Sequence, residues 1–284
     1  MLFKGRRQSS NVQDFRGRGS SGMGFKGGGI IGTLVLALII YLMGGNPMSV
    51  LQNITSPEQS VSSNAAAPIA GQDGMGEMVK VVFADTEDVW NKLFTESGET
   101  YREPTLVLFN SSIRSACGNA QSSSGPFYCP DDERVYIDLD YLQYLQQRLG
   151  AQGDFAVAYI IAHEVGHHVQ KLMGSMDNLD KLRASGASEA QINAMSVKVE
   201  LQADFLAGVW VYHAQRMKNF LEKGDLEEAI NAASAVGDDK IQSSQQGHIS
   251  PDSFTHGTAA QRKSWLQKGM ETGDISQGNT FSDL

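Results

Sequence analysis

Ala158-Tyr159-Ile160-Ile161-Ala162-His163-Glu164-Val165-Gly166-His167-His168-Val169-Gln170 is the stretch on which the reading of this chain turns. Its apolar residues recur at helical spacing. In a helix, positions four apart share a face, with Cβ atoms roughly 5–6 Å apart. His163 and His167 are therefore close enough to share one metal ion, with Glu164 beside them. Zinc-activated hydrolysis requires two neutral imidazoles, an open coordination position and a carboxylate that takes a proton from water. His168 is rotated about 100° around the helix and reads as a packing or surface residue. Gly166 in mid-helix costs about 1 kcal/mol relative to Ala, so it predicts the close approach of another backbone.

Two histidines do not complete a zinc site. Gln170 and Met173 stand where a metzincin pattern needs Gly and His, which excludes that class. Glu200 and Asp204 instead lie four apart on an otherwise apolar helix that includes Val197, Leu201, Phe205, Val209 and Trp210. Two half-buried acids are costly unless a cation neutralises them. Glu200 as third ligand meets that need, with Asp204 accepting the free N–H of a ligating imidazole. The alternative is a solvated acidic pair beside Lys198.

Outward from these helices, Met78 to Leu93 has helical spacing to about Glu96, and Thr105-Leu106-Val107-Leu108-Phe109 reads as a strand. Pro126–Cys129 and Arg134–Ile137 read as two further strands, joined by the turn Pro130-Asp131-Asp132-Glu133. Asp138 caps a helix running to Leu149, and another runs from Phe155 to about Leu172. Capping-box patterns at Ser188/Gln191, Asp225/Glu228 and Thr258/Gln261 open three more helices. A few strands followed by mostly helices is an α+β domain, mostly helical with a small β-sheet.

The ends of the chain differ in charge. Residues 1–26 are net +5, leaving −14 for the rest, which argues against a nucleic-acid surface on the main domain. No charged residue occurs between Lys26 and Glu58, and Ile30 to Met43 is almost continuously apolar. This predicts a basic, disordered cytoplasmic tail over 1–26, one transmembrane helix over 27–45, a linker over 46–75 and a domain over 76–284. A cleaved signal peptide is the competing reading, although Gly44-Gly45-Asn46-Pro47 lacks an A-x-A-like site. With the N-terminus inside, the domain is exported, and a Cys117–Cys129 disulfide fits an oxidising compartment; two unpaired thiols are the alternative.

The histidine pair, Glu200-x-x-x-Asp204 and a later histidine resemble the gluzincin metallopeptidases. Cys117-Gly118, Gly125-Pro126-Phe127-Tyr128-Cys129-Pro130, Gly237-Asp238-Asp239 and Phe254-Thr255-His256-Gly257-Thr258 extend the likeness over nearly the whole chain. Together they are similar to a bacterial family of neutral zinc metallopeptidases. The resemblance implies a zincin-like fold, one Zn2+ ion on His163, His167 and Glu200, and a peptide or protein substrate. It implies a single-pass protein of the bacterial inner membrane whose domain is periplasmic or otherwise extracytoplasmic. By the same analogy His256 becomes a candidate donor to the reaction's oxyanion; as a sequence feature it reads equally as a helix-entry histidine near Thr258. Arg262 is paired provisionally with Asp239, and the edge of Phe127-Tyr128 is a candidate strand for an extended peptide. Two other functions fit the same residues: a zinc amidase acting on cell-wall peptides, and a zinc-stabilised binding module without catalysis.

Overall fold

The computed structural model describes residues 1–16, 74–121, 125–148 and 153–282. The expected membrane span at 27–45 and nearly all of the expected linker at 46–75 lie outside them. Among the described residues no helix is long and apolar enough to cross a membrane.

Strand β1 (Val12–Asp14) comes first, then the long helix α1 (Gly74–Glu96). Next are β2 (Thr105–Phe109), the hairpin β3 (Ser112–Ser115) and β4 (Gly118–Gln121), then β5 (Phe127–Cys129) and β6 (Arg134–Asp138). Helices follow: α2 (Leu139–Arg148), α3 (Asp154–Met173), α4 (Asp177–Ala184), α5 (Glu189–Lys218), α6 (Asp225–Ala235), α7 (Asp238–Gln246) and α8 (Ala259–Thr272). The main sheet runs β1-β2-β6-β5, with β1, β2 and β6 parallel and β5 antiparallel at the far edge. The α+β expectation holds. Phe83, Trp90, Phe155, Phe205, Trp210 and Phe220 fill the core between α1, α3, α5 and the sheet.

Glycines set how closely the helices approach. A Cβ on Gly166 of α3 would lie 3.0 Å from the Ala203 carbonyl oxygen of α5, the close approach its mid-helix position predicts. On α5 and α8 the fit is tighter: a Cβ on Gly208 would meet the Leu266 carbonyl at 2.2 Å, and one on Gly269 the Phe205 carbonyl at 2.1 Å. These contacts lock α8 across α5.

Capping boxes form at Ser188/Gln191 and Thr258/Gln261 as expected, and Asp138 accepts the Asp140 N–H at the head of α2. The third box does not form. Gly224 occupies the cap of α6, and the Asp225 and Glu228 carboxylates turn outward to the start of α3 and the chain's first residue. The hairpin β3–β4 occupies the cysteine loop, and α4 and α7 are helices that the sequence patterns did not announce.

The larger correction concerns the tail. Residues 1–16 belong to the same compact unit as the metal-motif helices. β1 pairs with β2 in the register Val12↔Leu106 to Asp14↔Leu108. The Arg6 guanidinium grips Asp85 of α1 through two 2.7 Å contacts, and Arg7 bonds Glu87 at 2.9 Å and Asp88 at 2.6 Å. Asp85 and Glu87 are buried on α1. A polar basic segment buries too little apolar surface to fold alone. Here it is ordered because two buried acids of the domain need counter-ions.

Candidate metal centre

α3 starts at Gly153, whose φ of 103° is a conformation glycine adopts readily, and the Glu228 carboxylate of α6 accepts the Phe155 N–H at 3.1 Å. The resulting helix presents two adjoining faces. His163 and His167 turn toward α5, where Glu200 lies between them: its carboxylate is 3.1 Å from His163 Nε2 and 3.5 Å from His167 Nε2. Donor atoms of all three residues fall within 4.8 Å of one another. The structure thus brings Glu200 to the two histidines.

The tautomers of both imidazoles follow from their outer partners. His163 Nδ1–H donates to Asp204 at 2.9 Å, and His167 Nδ1–H donates to the Gln170 side-chain oxygen at 2.9 Å. Gln170 is fixed in that orientation because its amide donates to the Val199 carbonyl at 2.8 Å and to Gln202 at 2.9 Å. Each Nε2 therefore faces Glu200: that of His163 donates to it at 3.1 Å, because against the opposing effect of burial Asp204 and Glu200 raise the His163 pKa, and this proton leaves when a metal binds. Two imidazoles braced from behind and a carboxylate form the donor set of a zinc site once His163 Nε2 has lost its proton.

Asp204 is fully buried and held by three groups. Arg262 of α8 donates to it at 2.8 and 3.0 Å, and the Tyr159 hydroxyl donates at 2.5 Å, alongside His163. Burial favours the protonated acid, yet Arg262 and His163 hold its pKa below the usual carboxylate range. Burial likewise opposes ionisation of Glu200, and the two imidazoles outweigh it and keep Glu200 ionised. The provisional Arg262–Asp239 pairing is wrong: Asp239 accepts the Ala259 N–H at 2.7 Å at the start of α8. Tyr159, Gln170 and Asp238 are the parts of the site that sequence reasoning missed. The first two lie on the histidine face of α3, four residues before His163 and three after His167.

Glu164 is buried beside the donor triad, and burial raises its pKa to about 7. His256 lines the same cleft from the loop before α8. Its Nδ1 lies 3.2 Å from Asp238, whose carboxylate also accepts the backbone N–H groups of Thr255, His256 and Gly257. That pairing raises the His256 pKa against the opposing effect of burial. The cleft has a volume of about 580 Å³, and apolar Ile160, Leu179, Val199 and Ile241 share its walls with the edge strand β5. Cys117 and Cys129 are disulfide-bonded, so one end of β5 is tied to the hairpin.

A family model described as "Putative neutral zinc metallopeptidase" matches residues 1–281, which includes the N-terminal strand. "Uncharacterized protein YpfJ" of Escherichia coli (strain K12) is 44% identical, over 99% of this chain and 99% of its own length. "Uncharacterized protein Rv2575" of Mycobacterium tuberculosis is 42% identical over 64% of each chain. No solved structure matches.

Proposed function

Because this chain belongs to the neutral zinc metallopeptidase family, we propose that it hydrolyses peptide bonds with one zinc ion held by His163, His167 and Glu200. The observation that carries this reading is the buried Glu164 carboxylate beside two braced imidazoles and Glu200. A purely structural zinc site closes with a fourth ligand and has no use for a base. When bound, zinc supplies Lewis acidity at the scissile carbonyl and lowers the pKa of water.

Glu164 accepts a proton from the attacking water and returns it to the leaving amine nitrogen; a pKa near 7 suits both transfers. His256, backed by Asp238, donates to the oxyanion. Asp204 holds His163 in its ligating tautomer, and Arg262 and Tyr159 keep Asp204 ionised and oriented. The outer edge of β5, which no strand pairs among the described residues, borders the cleft and favours an extended peptide backbone. Metal analysis with a fluorogenic peptide library tests the reading: the parent chain binds stoichiometric zinc and cleaves, whereas Glu164→Gln keeps zinc and does not cleave. Full cleavage by Glu164→Gln sinks it.

We also place the folded unit outside the cytoplasm, a location that the Cys117–Cys129 disulfide supports. Pairing of β1 with β2 favours an N-terminus on that same side, in place of the cytoplasmic one expected from charge. Labelling a Lys4→Cys variant in intact cells with a membrane-impermeant thiol reagent tests this. Modification before lysis supports a shared side; modification only after lysis restores the cytoplasmic tail.

A further inference from the structure

The second face of α3 is as ordered as the first. Glu164 and His168 lie four residues apart on it and Lys171 three further on, so all three point the same way. Each meets the short edge strand or the residue after it. The Tyr128 backbone N–H lies near the Glu164 carboxylate and opposes the rise of its pKa on burial. The Tyr128 hydroxyl donates to His168 Nδ1 at 2.9 Å, and Lys171 Nζ donates to the Pro130 carbonyl. His168 is itself fixed: its Nε2–H donates to the Arg102 carbonyl at 2.5 Å, and Tyr101 and Tyr128 pack edge-on against its ring. Its exposure is 0%.

This is more restraint than a three-residue edge strand needs for folding. β5 is already paired with β6, stacked through Phe127 on Tyr136 at 4.7 Å, and tied by the disulfide at Cys129. The contacts to α3 add a relation between two functional parts. They set the height of the strand's free edge relative to the carboxylate that moves the proton. A substrate carbonyl lying along that edge meets Glu164 at a distance decided by Tyr128. Displacements of about 1 Å at such a contact cost on the order of 10²-fold in rate.

We propose that His168 is a positioning residue, which accepts the Tyr128 hydroxyl and thereby fixes the substrate-bearing edge of β5 against Glu164. The sequence His163-Glu164-Val165-Gly166-His167-His168 is then two interleaved pairs: His163 with His167 for the metal, Glu164 with His168 for the strand. The inference rests on the peptidase reading, and its test separates the two.

Tyr128→Phe deletes one oxygen and leaves the ring in place. In the zinc-loaded full chain its kcat falls about tenfold, with KM changed less than about threefold and zinc content unchanged. His168→Gln keeps a donor near the Arg102 carbonyl, loses the acceptor for Tyr128 and falls by a similar factor. His168→Asn places its side-chain oxygen near the position of Nδ1 and recovers part of that loss. Amide exchange at Tyr128 and Cys129 reads the same contact without turnover, and quickens in Tyr128→Phe and His168→Gln. Parent-like exchange and parent-like kcat in Tyr128→Phe overturn the proposal. A parent chain that binds zinc but cleaves no peptide overturns the peptidase reading, and faster exchange in the variants then still establishes the pin.

Discussion

Helix α3 carries two clusters of metal-ligand type, and only one is fit for a metal. At its head, donor atoms of Asp154, Asp225 and Glu228 fall within 4.8 Å of one another, the same spacing as in the His163, His167 and Glu200 group nine residues on. The head cluster holds one cation of its own. The α-ammonium of Met1 lies 2.7 Å from Asp154 and 3.3 Å from Asp225, Glu222 joins it at 3.1 Å, and Glu228 is engaged by a backbone N–H. In the central cluster Arg262 is engaged by Asp204, and Glu200 is met by His163 Nε2–H, a proton that a metal displaces, and by His167 Nε2. Proximity of donors is common to both. What separates them is donor chemistry: carboxylates alone around an ammonium at the head, two imidazoles with one carboxylate at the centre.

The largest effects belong to the central cluster. Glu164→Gln lowers kcat by about 10²–10⁴-fold with zinc content intact. Glu200→Ala loses zinc, measured by mass spectrometry after dialysis. If zinc survives Glu200→Ala and disappears instead in Asp225→Ala, the comparison is reversed. Asp204→Asn comes next, because it leaves Arg262 buried without its carboxylate. Zinc affinity weakens about 10–100-fold, and breaking such a buried pair costs about 3–5 kcal/mol in denaturant unfolding.

At the head cluster the expected change is in stability alone. Asp225→Ala removes a partner of the Met1 ammonium and of the Glu222 N–H, at a cost of about 1–3 kcal/mol for the group left unsatisfied. Zinc content and kcat stay at the parent's values. A fall in zinc content makes this cluster part of the metal site and removes the distinction.

The two clusters were not equally legible. His163, Glu164, His167, Glu200 and Asp204 announce themselves because helical geometry turns a four-residue spacing into adjacency, and because acids on an apolar helix face need an explanation. The head cluster joins residues from the start of the chain, α3 and α6, and no periodicity links them. Asp225 and Glu228 even imitate a capping box, although Gly224 takes the cap. The ordered tail was hidden in the same way: Arg6 and Arg7 look like solvated charge until Asp85 and Glu87 of α1 are seen to be buried opposite them. His168 followed the same logic. Helical rotation correctly turned it away from the metal, but that it meets Tyr128 depends on where β5 packs.

The smallest effect lies at the far end of α3, where charge is again compensated, now close to solvent. Glu133 accepts from Arg102 at 2.6 and 2.7 Å and from Lys171 of α3 at 2.8 Å. The Arg102 bonds chiefly hold its pKa down to about 2, against the 4.5 of a free glutamate and against some opposition from burial. A carboxylate with a depressed folded-state pKa contributes stability that is fully present above the unfolded value and is lost as pH falls toward the folded one. The window is therefore from about pH 4.5 down to about pH 2. Arg102 is 62% exposed, so solvent screening limits the contribution to about 1 kcal/mol or less. Urea unfolding of the zinc-free chain at about pH 5 and about pH 3, compared with Glu133→Gln, isolates it, since the imidazoles titrate equally in both proteins. The parent's advantage over the variant shrinks toward zero at the lower pH. An advantage that is unchanged, or that grows on acidification, means the three-way bridge stabilises through packing and not through charge, and the likeness to the charge-held head cluster then does not extend to this end of the helix.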